Sequence, residues 1–173
     1  MSVDPVIAAI VQFGLGWLFL ASGVQKLRRM EEFRGIVAMY RLLPQRFVTT
    51  AAWFVAGVEV AVGLAVVLDQ RAGFIAAAVV LAAYAAAMGI NLARGRRFID
   101  CGCGGTRQPL SIGLVVRNVL LSLIAVAGLL PVASRAIGWV DVVSMVAGLV
   151  VVGALYAATN QLLAARARLE EWV

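Results

Sequence analysis

Five long apolar runs, nearly free of charged residues, constrain the fold of this chain more than any other feature. They cover residues 6–24, 48–68, 72–92, 112–130 and 140–163. Each is close to the roughly 20 helical residues that cross the hydrocarbon core of a bilayer. Strands of a membrane barrel would alternate apolar and polar residues over about ten positions, and these runs do not alternate. The sequence therefore predicts an all-α integral membrane protein, a bundle of about five transmembrane helices.

Composition supports a membrane protein over a soluble enzyme. Hydrophobic residues make up 63% of the 173 positions and charged residues 14%, whereas soluble domains average about 45–50% apolar and about 25% charged residues. A core of this size cannot bury such an excess. We predict a single membrane domain over residues 1–173. The first run lacks a basic flank, so we expect a permanent helix and not a cleaved signal peptide.

Residues 25–46, between the first two runs, have the periodicity of an amphipathic helix. Apolar residues recur at spacings of three and four with charged residues between them, which is typical of a helix lying in the membrane interface. The apolar positions are Leu27, Met30, Phe33, Val37 and Tyr40. Pro44 is expected to end this helix before the second span. A helix that docks a protein partner is the alternative interpretation.

Basic residues are distributed unequally between the two ends of the predicted bundle. One end carries Lys26, Arg28, Arg29, Arg34, Arg41, Arg46, Arg94, Arg96, Arg97, Arg107, Arg166 and Arg168, and the other carries Arg71 and Arg135. The positive-inside rule makes the richer end cytoplasmic. We therefore predict a multi-pass protein of the bacterial inner membrane, with its N-terminus outside and its C-terminus on the cytoplasmic side. The net charge of +6 is explained by these loops, and no nucleic-acid partner is expected.

The residues best suited to chemistry lie in one glycine-rich loop, Asp100-Cys101-Gly102-Cys103-Gly104-Gly105, which the same argument places at the cytoplasmic end. The chain has no histidine and only 2 cysteines, which excludes Cys–His catalysis and a four-thiolate metal site within one chain. A disulfide between Cys101 and Cys103 needs a sharp bend, which Gly102 permits, and such a strained ring exchanges readily. We interpret the two cysteines as a redox-active dithiol. A metal site completed by a second chain and incidental cysteines are the alternatives.

Several polar residues lie inside or at the ends of the apolar runs. Glu59 is midway along the second run, Arg117 and Asn118 lie in the fourth, and Lys26 and Asn91 lie at the ends of the first and third runs. A charge in lipid costs at least about 2.5–3.5 kcal/mol. These residues either hydrogen-bond between helices or form a polar pocket beneath the dithiol, suited to a quinone headgroup or a proton path. We predict that Glu59 and Arg117 form an ion pair, with Lys26 as the rival partner of Glu59.

Four motifs in a fixed order resemble the DoxX-like superfamily, and within it the branch of the methylamine-utilisation protein MauE. They are Gly23-x-x-Lys26-Leu27, Tyr40-x-Leu42-Leu43-Pro44, Gly57-x-Glu59-x-x-x-Gly63, and Arg94-Gly95 followed by Asp100-Cys101-Gly102-Cys103-Gly104-Gly105. The resemblance runs from about residue 14 to residue 130. Members of the superfamily often lack the cysteine pair, so the pair indicates the redox-associated branch.

This resemblance implies a four-helix core plus one further helix, and a role in disulfide formation or maturation of a periplasmic dehydrogenase of the methylamine dehydrogenase type. It also implies a thioredoxin-like partner or a client dehydrogenase subunit, in an oligomer or a complex. No cofactor is certain; a quinone is the candidate. The alternative to a redox protein is a non-catalytic scaffold subunit of a redox complex. In that case the basic face of the protein would bind a partner or anionic lipid. The redox state of the cysteine pair would distinguish the two.

Overall fold

The computed structural model describes residues 2–96, 98–102 and 108–170, with side chains as far as residue 165. The helices in these ranges are α1 (Pro5–Arg28), α2 (Met30–Tyr40), α3 (Val48–Val67), α4 (Arg71–Ala93), α5 (Ile112–Ala127) and α6 (Trp139–Glu170). Four stretches are long and apolar enough to cross a membrane, Pro5–Arg28, Gln45–Val67, Arg71–Ala93 and Trp139–Ala165. The predicted all-α membrane bundle is confirmed.

The predicted fourth span is shorter than the sequence suggested. Its helix, α5, has 16 residues and ends at Ala127, not at residue 130. At about 1.5 Å per residue it extends about 24 Å, less than the hydrocarbon thickness of about 30 Å. Leu130 precedes Pro131, and a residue before proline is disfavoured in a helix, so the apolar run outlasts the helix.

The predicted amphipathic helix over residues 25–46 is also shorter than expected. Its first residues belong to α1, which continues to Arg28, and Arg29 breaks the helix with φ −123° before α2 begins. At the other end, Arg41 adopts a left-handed conformation with φ 47°, so α2 ends at Tyr40 and not at Pro44. Met30 and Phe33 are buried in a cluster with Ala52 and Ala56 of α3. The helix therefore packs its apolar side on the bundle.

Close contact between α1 and α3 forms the centre of the bundle. A Cβ atom added to Gly23 would lie 3.1 Å from the backbone nitrogen of Val60 and 3.2 Å from the carbonyl oxygen of Ala56. A Cβ atom at Gly63 would lie 3.0 Å from the nitrogen of Leu20 and 3.1 Å from the oxygen of Gly16. Small residues allow membrane helices to approach this closely. Residues 16–23 of α1 and 56–63 of α3 therefore lie against each other.

A cluster of charges ties the chain's N-terminus to the beginning of α6. Arg135 binds Asp4 through an Nε–Oδ2 contact of 3.0 Å and Asp141 through an Nη2–Oδ1 contact of 2.8 Å. Hydrogen bonds from Arg135 and from the backbone of Val6 lower the pKa of Asp4. Val3 pairs with Val132 in an isolated parallel bridge. The N-terminus and the α5–α6 connection therefore lie at one end of the bundle.

Candidate functional site: a cavity beneath Cys101

A buried ion pair joins α1 to α3. The Lys26 ammonium lies 2.8 Å from Glu59 Oε1 and 2.7 Å from Oε2, and only 7% of Lys26 and 1% of Glu59 is exposed. Ser22 Oγ accepts a hydrogen bond of 2.6 Å from Lys26 and donates one of 3.2 Å to Glu59. Tyr84, on α4, donates a hydrogen bond of 2.7 Å to Glu59 Oε1. The pair thus connects three helices.

Aromatic rings complete the surroundings of the Lys26 ammonium. Its nitrogen lies 5.3 Å from the centroid of Phe33 and 5.7 Å from that of Tyr84, within the range of cation–π attraction. Both carboxylate oxygens of Glu59 accept hydrogen bonds. Such compensation is what allows a charge to remain inside a membrane bundle.

The predicted Glu59–Arg117 ion pair is wrong. Glu59 pairs with Lys26, whereas Arg117 donates a short hydrogen bond to Asn160 Oδ1 on α6. The Arg117 guanidinium also lies 5.5 Å from the ring centroid of Tyr156. Depth in the membrane favoured Arg117 as the partner, but the direction in which each helix presents its side chains determines the pair. The glycine contact between α1 and α3 turns Lys26 directly toward Glu59.

Cys101 lies at the base of a short hairpin between α4 and α5. Its backbone nitrogen donates to the Gln108 carbonyl at 2.9 Å, and the Leu110 nitrogen donates to the Ile99 carbonyl at 3.0 Å. The Asp100 carboxylate accepts hydrogen bonds from the backbone nitrogens of Gly102 at 3.2 Å and Gln108 at 3.4 Å. These bonds fix the two ends of the loop that carries the cysteine motif.

Gly102, which the sequence analysis expected to permit a bend, has a left-handed backbone conformation. Its φ is +68°, and a Cβ atom there would lie 3.2 Å from Ile36 Cγ2 of α2. Glycine suits the position because it tolerates a positive φ and leaves room for α2. Cys103 lies outside the described residues, so the predicted pairing of Cys101 with Cys103 stays a prediction.

Gln108 is a residue of the site that the sequence analysis missed. It is 4% exposed, and its Oε1 accepts a hydrogen bond from the Cys101 thiol at a sulfur–oxygen distance of 3.7 Å. Its Nε2 donates to the Asn160 carbonyl at 2.9 Å, which joins the hairpin to α6. Only its position seven residues after Cys101 could have drawn attention to it. Tyr84 was missed too, because one tyrosine in an apolar run carries no signal of its partner.

Most of the predicted polar residues meet at one cavity of about 1000 Å³. Lys26, Glu59, Arg117 and Asn118 line it, as does Cys101. Asn91 does not line it; that side chain is fully buried and donates to the Ala87 carbonyl within α4 at 3.1 Å. In the part of the chain that the structure describes, no three acidic, cysteine or histidine side chains form a metal-binding group.

Comparison with known proteins identifies the family. The family described as "Methylamine utilisation protein MauE" matches residues 4–131. The chain is 40% identical to the methylamine utilization protein MauE of Paracoccus denitrificans over 129 residues, 72% of this chain and 69% of the relative. It is 38% identical to that of Methylorubrum extorquens over 77% of this chain and 75% of the relative, and 37% identical to that of Paracoccus versutus over 84% and 81%. No solved structure matches. The chain therefore belongs to the MauE family of methylamine utilisation proteins.

Proposed function

We propose that this protein is a membrane thiol–disulfide redox protein that supports disulfide formation in a periplasmic dehydrogenase of the methylamine dehydrogenase type. The observation that carries the proposal is the position of Cys101, which lies at the base of a hydrogen-bonded hairpin and lines a cavity that also contains Lys26, Glu59 and Arg117. Cys103 follows two positions later. The names of the relatives supply the methylamine system as the source of the client.

The proposed exchange transfers a disulfide bond from the Cys101–Cys103 pair to two thiols of another protein. A thiolate of a thioredoxin-like partner attacks the Cys101–Cys103 disulfide and forms a mixed disulfide. The second thiol of the partner resolves it, so the partner gains an S–S bond and the pair becomes two thiols. Because the chain contains only 2 cysteines, it has no second dithiol to which the pair can pass the electrons. Another molecule must reoxidise the pair after each cycle.

Cysteine replacement tests this function. Cys101→Ser and Cys103→Ser are each expected to abolish disulfide formation in the client, and one of the two variants should accumulate a mixed disulfide with its partner. The measurement is client maturation in cells, together with non-reducing electrophoresis. The double variant is the control, because it cannot form the trapped species. If both single variants mature the client at the wild-type level, the redox function is wrong and the non-catalytic scaffold is favoured.

We also propose that the cysteine loop lies at the cytoplasmic face, because the basic residues favour that orientation. The dithiol would then pass electrons to the membrane interior or across it, and not meet a periplasmic client directly. After the pair has been reduced with a membrane-permeant reductant, labelling of intact cells with a membrane-impermeant maleimide should leave Cys101 and Cys103 unmodified, whereas permeabilised cells should show labelling. Strong labelling in intact cells would reverse the orientation.

A further inference from the structure

The cavity beneath Cys101 is long and has two chemically different ends. Along α1 it extends from Ile10 to Lys26, about 24 Å at about 1.5 Å per residue. At the end away from the hairpin its lining is apolar, with Ile10, Phe13, Ile124 and Leu149. At the end near the hairpin the lining includes Cys101, Lys26, Glu59, Tyr84, Arg117 and Asn160. This distribution matches a molecule with a polar head and a long apolar tail.

The polar end reaches the middle of the membrane, which restricts the kind of head that fits. Glu59 lies near the centre of α3, in a helix of 20 residues, and its charge is already matched by Lys26. A phospholipid headgroup carries charges that stay at the interface, since moving a charge to this depth is costly. An uncharged head that accepts hydrogen bonds avoids that cost. The volume of about 1000 Å³ lies at the upper end of the range of small-molecule sites, about 300–1,000 Å³.

We propose that the cavity binds a lipid-soluble quinone, with its ring near Cys101 and Arg117 and its tail toward Ile10. The role of the bound quinone rests on the proposed function, in which Cys101 and Cys103 exchange electrons as a dithiol. When Cys101 and Cys103 are oxidised, two S–H bonds break and one S–S bond forms. The two electrons and two protons pass to the quinone, whose two carbonyl oxygens become hydroxyls. The positive charge of Arg117 favours the arrival of electrons on the adjacent ring oxygen.

A cavity-filling substitution tests binding separately from chemistry. Gly153 of α6 lines the cavity, and a Cβ atom there would meet nothing within 4 Å. Gly153→Trp therefore occupies cavity space with little strain on neighbouring residues. Gly57 is the matched control, because it is also a helical glycine with nothing within 4 Å, but it lies on α3 outside the cavity lining. Binding of decylubiquinone to the full-length protein in lipid nanodiscs is measured by calorimetry.

The wild-type protein and Gly57→Trp are expected to bind decylubiquinone equally, and Gly153→Trp should bind at least about tenfold more weakly. Arg117→Gln is a second variant that leaves the volume intact, and it should weaken binding about tenfold, the effect of one hydrogen bond to a charged group. Absence of wild-type binding, or equal binding by wild type and Gly153→Trp, would overturn the inference.

The thiol chemistry is scored in a separate measurement. The reduced wild-type protein should convert decylubiquinone to the quinol, whereas the Cys101→Ser/Cys103→Ser double variant should not. Binding that depends on the cavity without any cysteine-dependent reduction would support the quinone site and contradict the redox function. Weak binding of decylubiquinone together with an active cysteine pair would support the redox function and contradict the quinone site.

Discussion

Lys26→Met and Glu59→Gln are each expected to lower the free energy of unfolding by about 3–5 kcal/mol, the usual cost of leaving one charge of a buried pair without its partner. The double variant should lose less than the sum of the two single variants, because it buries no charge. Only 7% of Lys26 and 1% of Glu59 is exposed, so water cannot stabilise the remaining charge. Equilibrium unfolding of all three variants in mixed micelles gives the comparison.

An exposed ion pair on α2 provides the control for this cycle. Glu31 and Arg34 lie 2.8 Å apart, with 86% and 38% of their side chains exposed. Exposed pairs of this kind contribute about 0.3–0.5 kcal/mol, so Glu31→Gln and Arg34→Gln should have small effects. Purely additive losses at Lys26 and Glu59 would show that their charges do not interact in the folded protein.

Gly23→Leu is expected to have the other large effect, a loss of about 3 kcal/mol or more, at the upper end of the range for overpacked cores. The new side chain would begin 3.1 Å from the nitrogen of Val60 and 3.2 Å from the oxygen of Ala56. Backbone atoms cannot rotate away as a side chain can, so α1 and α3 must separate. Separation would also pull Lys26 from Glu59. The free energy of unfolding and the thermal midpoint are the measurements.

Gly57→Leu is the matched control for this substitution. Gly57 lies on α3, the helix that Gly23 of α1 contacts, but a Cβ atom there would meet nothing within 4 Å. Leucine also has a higher helix propensity than glycine, so this variant should be as stable as the wild type or slightly more stable. Equal destabilisation by Gly23→Leu and Gly57→Leu would mean that the α1–α3 contact does not require glycine.

The membrane bundle was predictable because each span is a local property of the sequence. A run of apolar residues needs a helix wherever it lies in the bundle, and all five runs contain one. The ends were less predictable: Arg29 and Arg41 interrupt the predicted amphipathic segment through their backbone angles, and neither residue type signals a break. The length of α5 was overestimated because hydropathy continues past Ala127 while the helix does not.

The candidate site was predictable in its residue types but not in its pairings. An intramembrane carboxylate such as Glu59 demands a partner, and the sequence offered both Arg117 and Lys26. The choice depended on how α1 and α3 rotate at their glycine contact, which depth alone does not determine. The contact of Gln108 with Cys101 depends on the register of a hairpin. Neither the Lys26–Glu59 pair nor the Gln108–Cys101 contact can be predicted from the periodicity of a single helix.

Helix α6 forms a side wall of the cavity and is held by polar contacts near both of its ends. Arg135 holds its beginning through Asp141, and Gln108 and Arg117 hold Asn160 near its other end. In the most apolar stretch of Trp139–Ala165, no residue is buried inside the bundle. Between these ends α6 packs on α1 through apolar side chains, such as Ile10 against Gly148. A molecule dissolved in the lipid would reach the cavity sideways by separating this apolar contact, with no passage through water and without disturbing the Lys26–Glu59 pair.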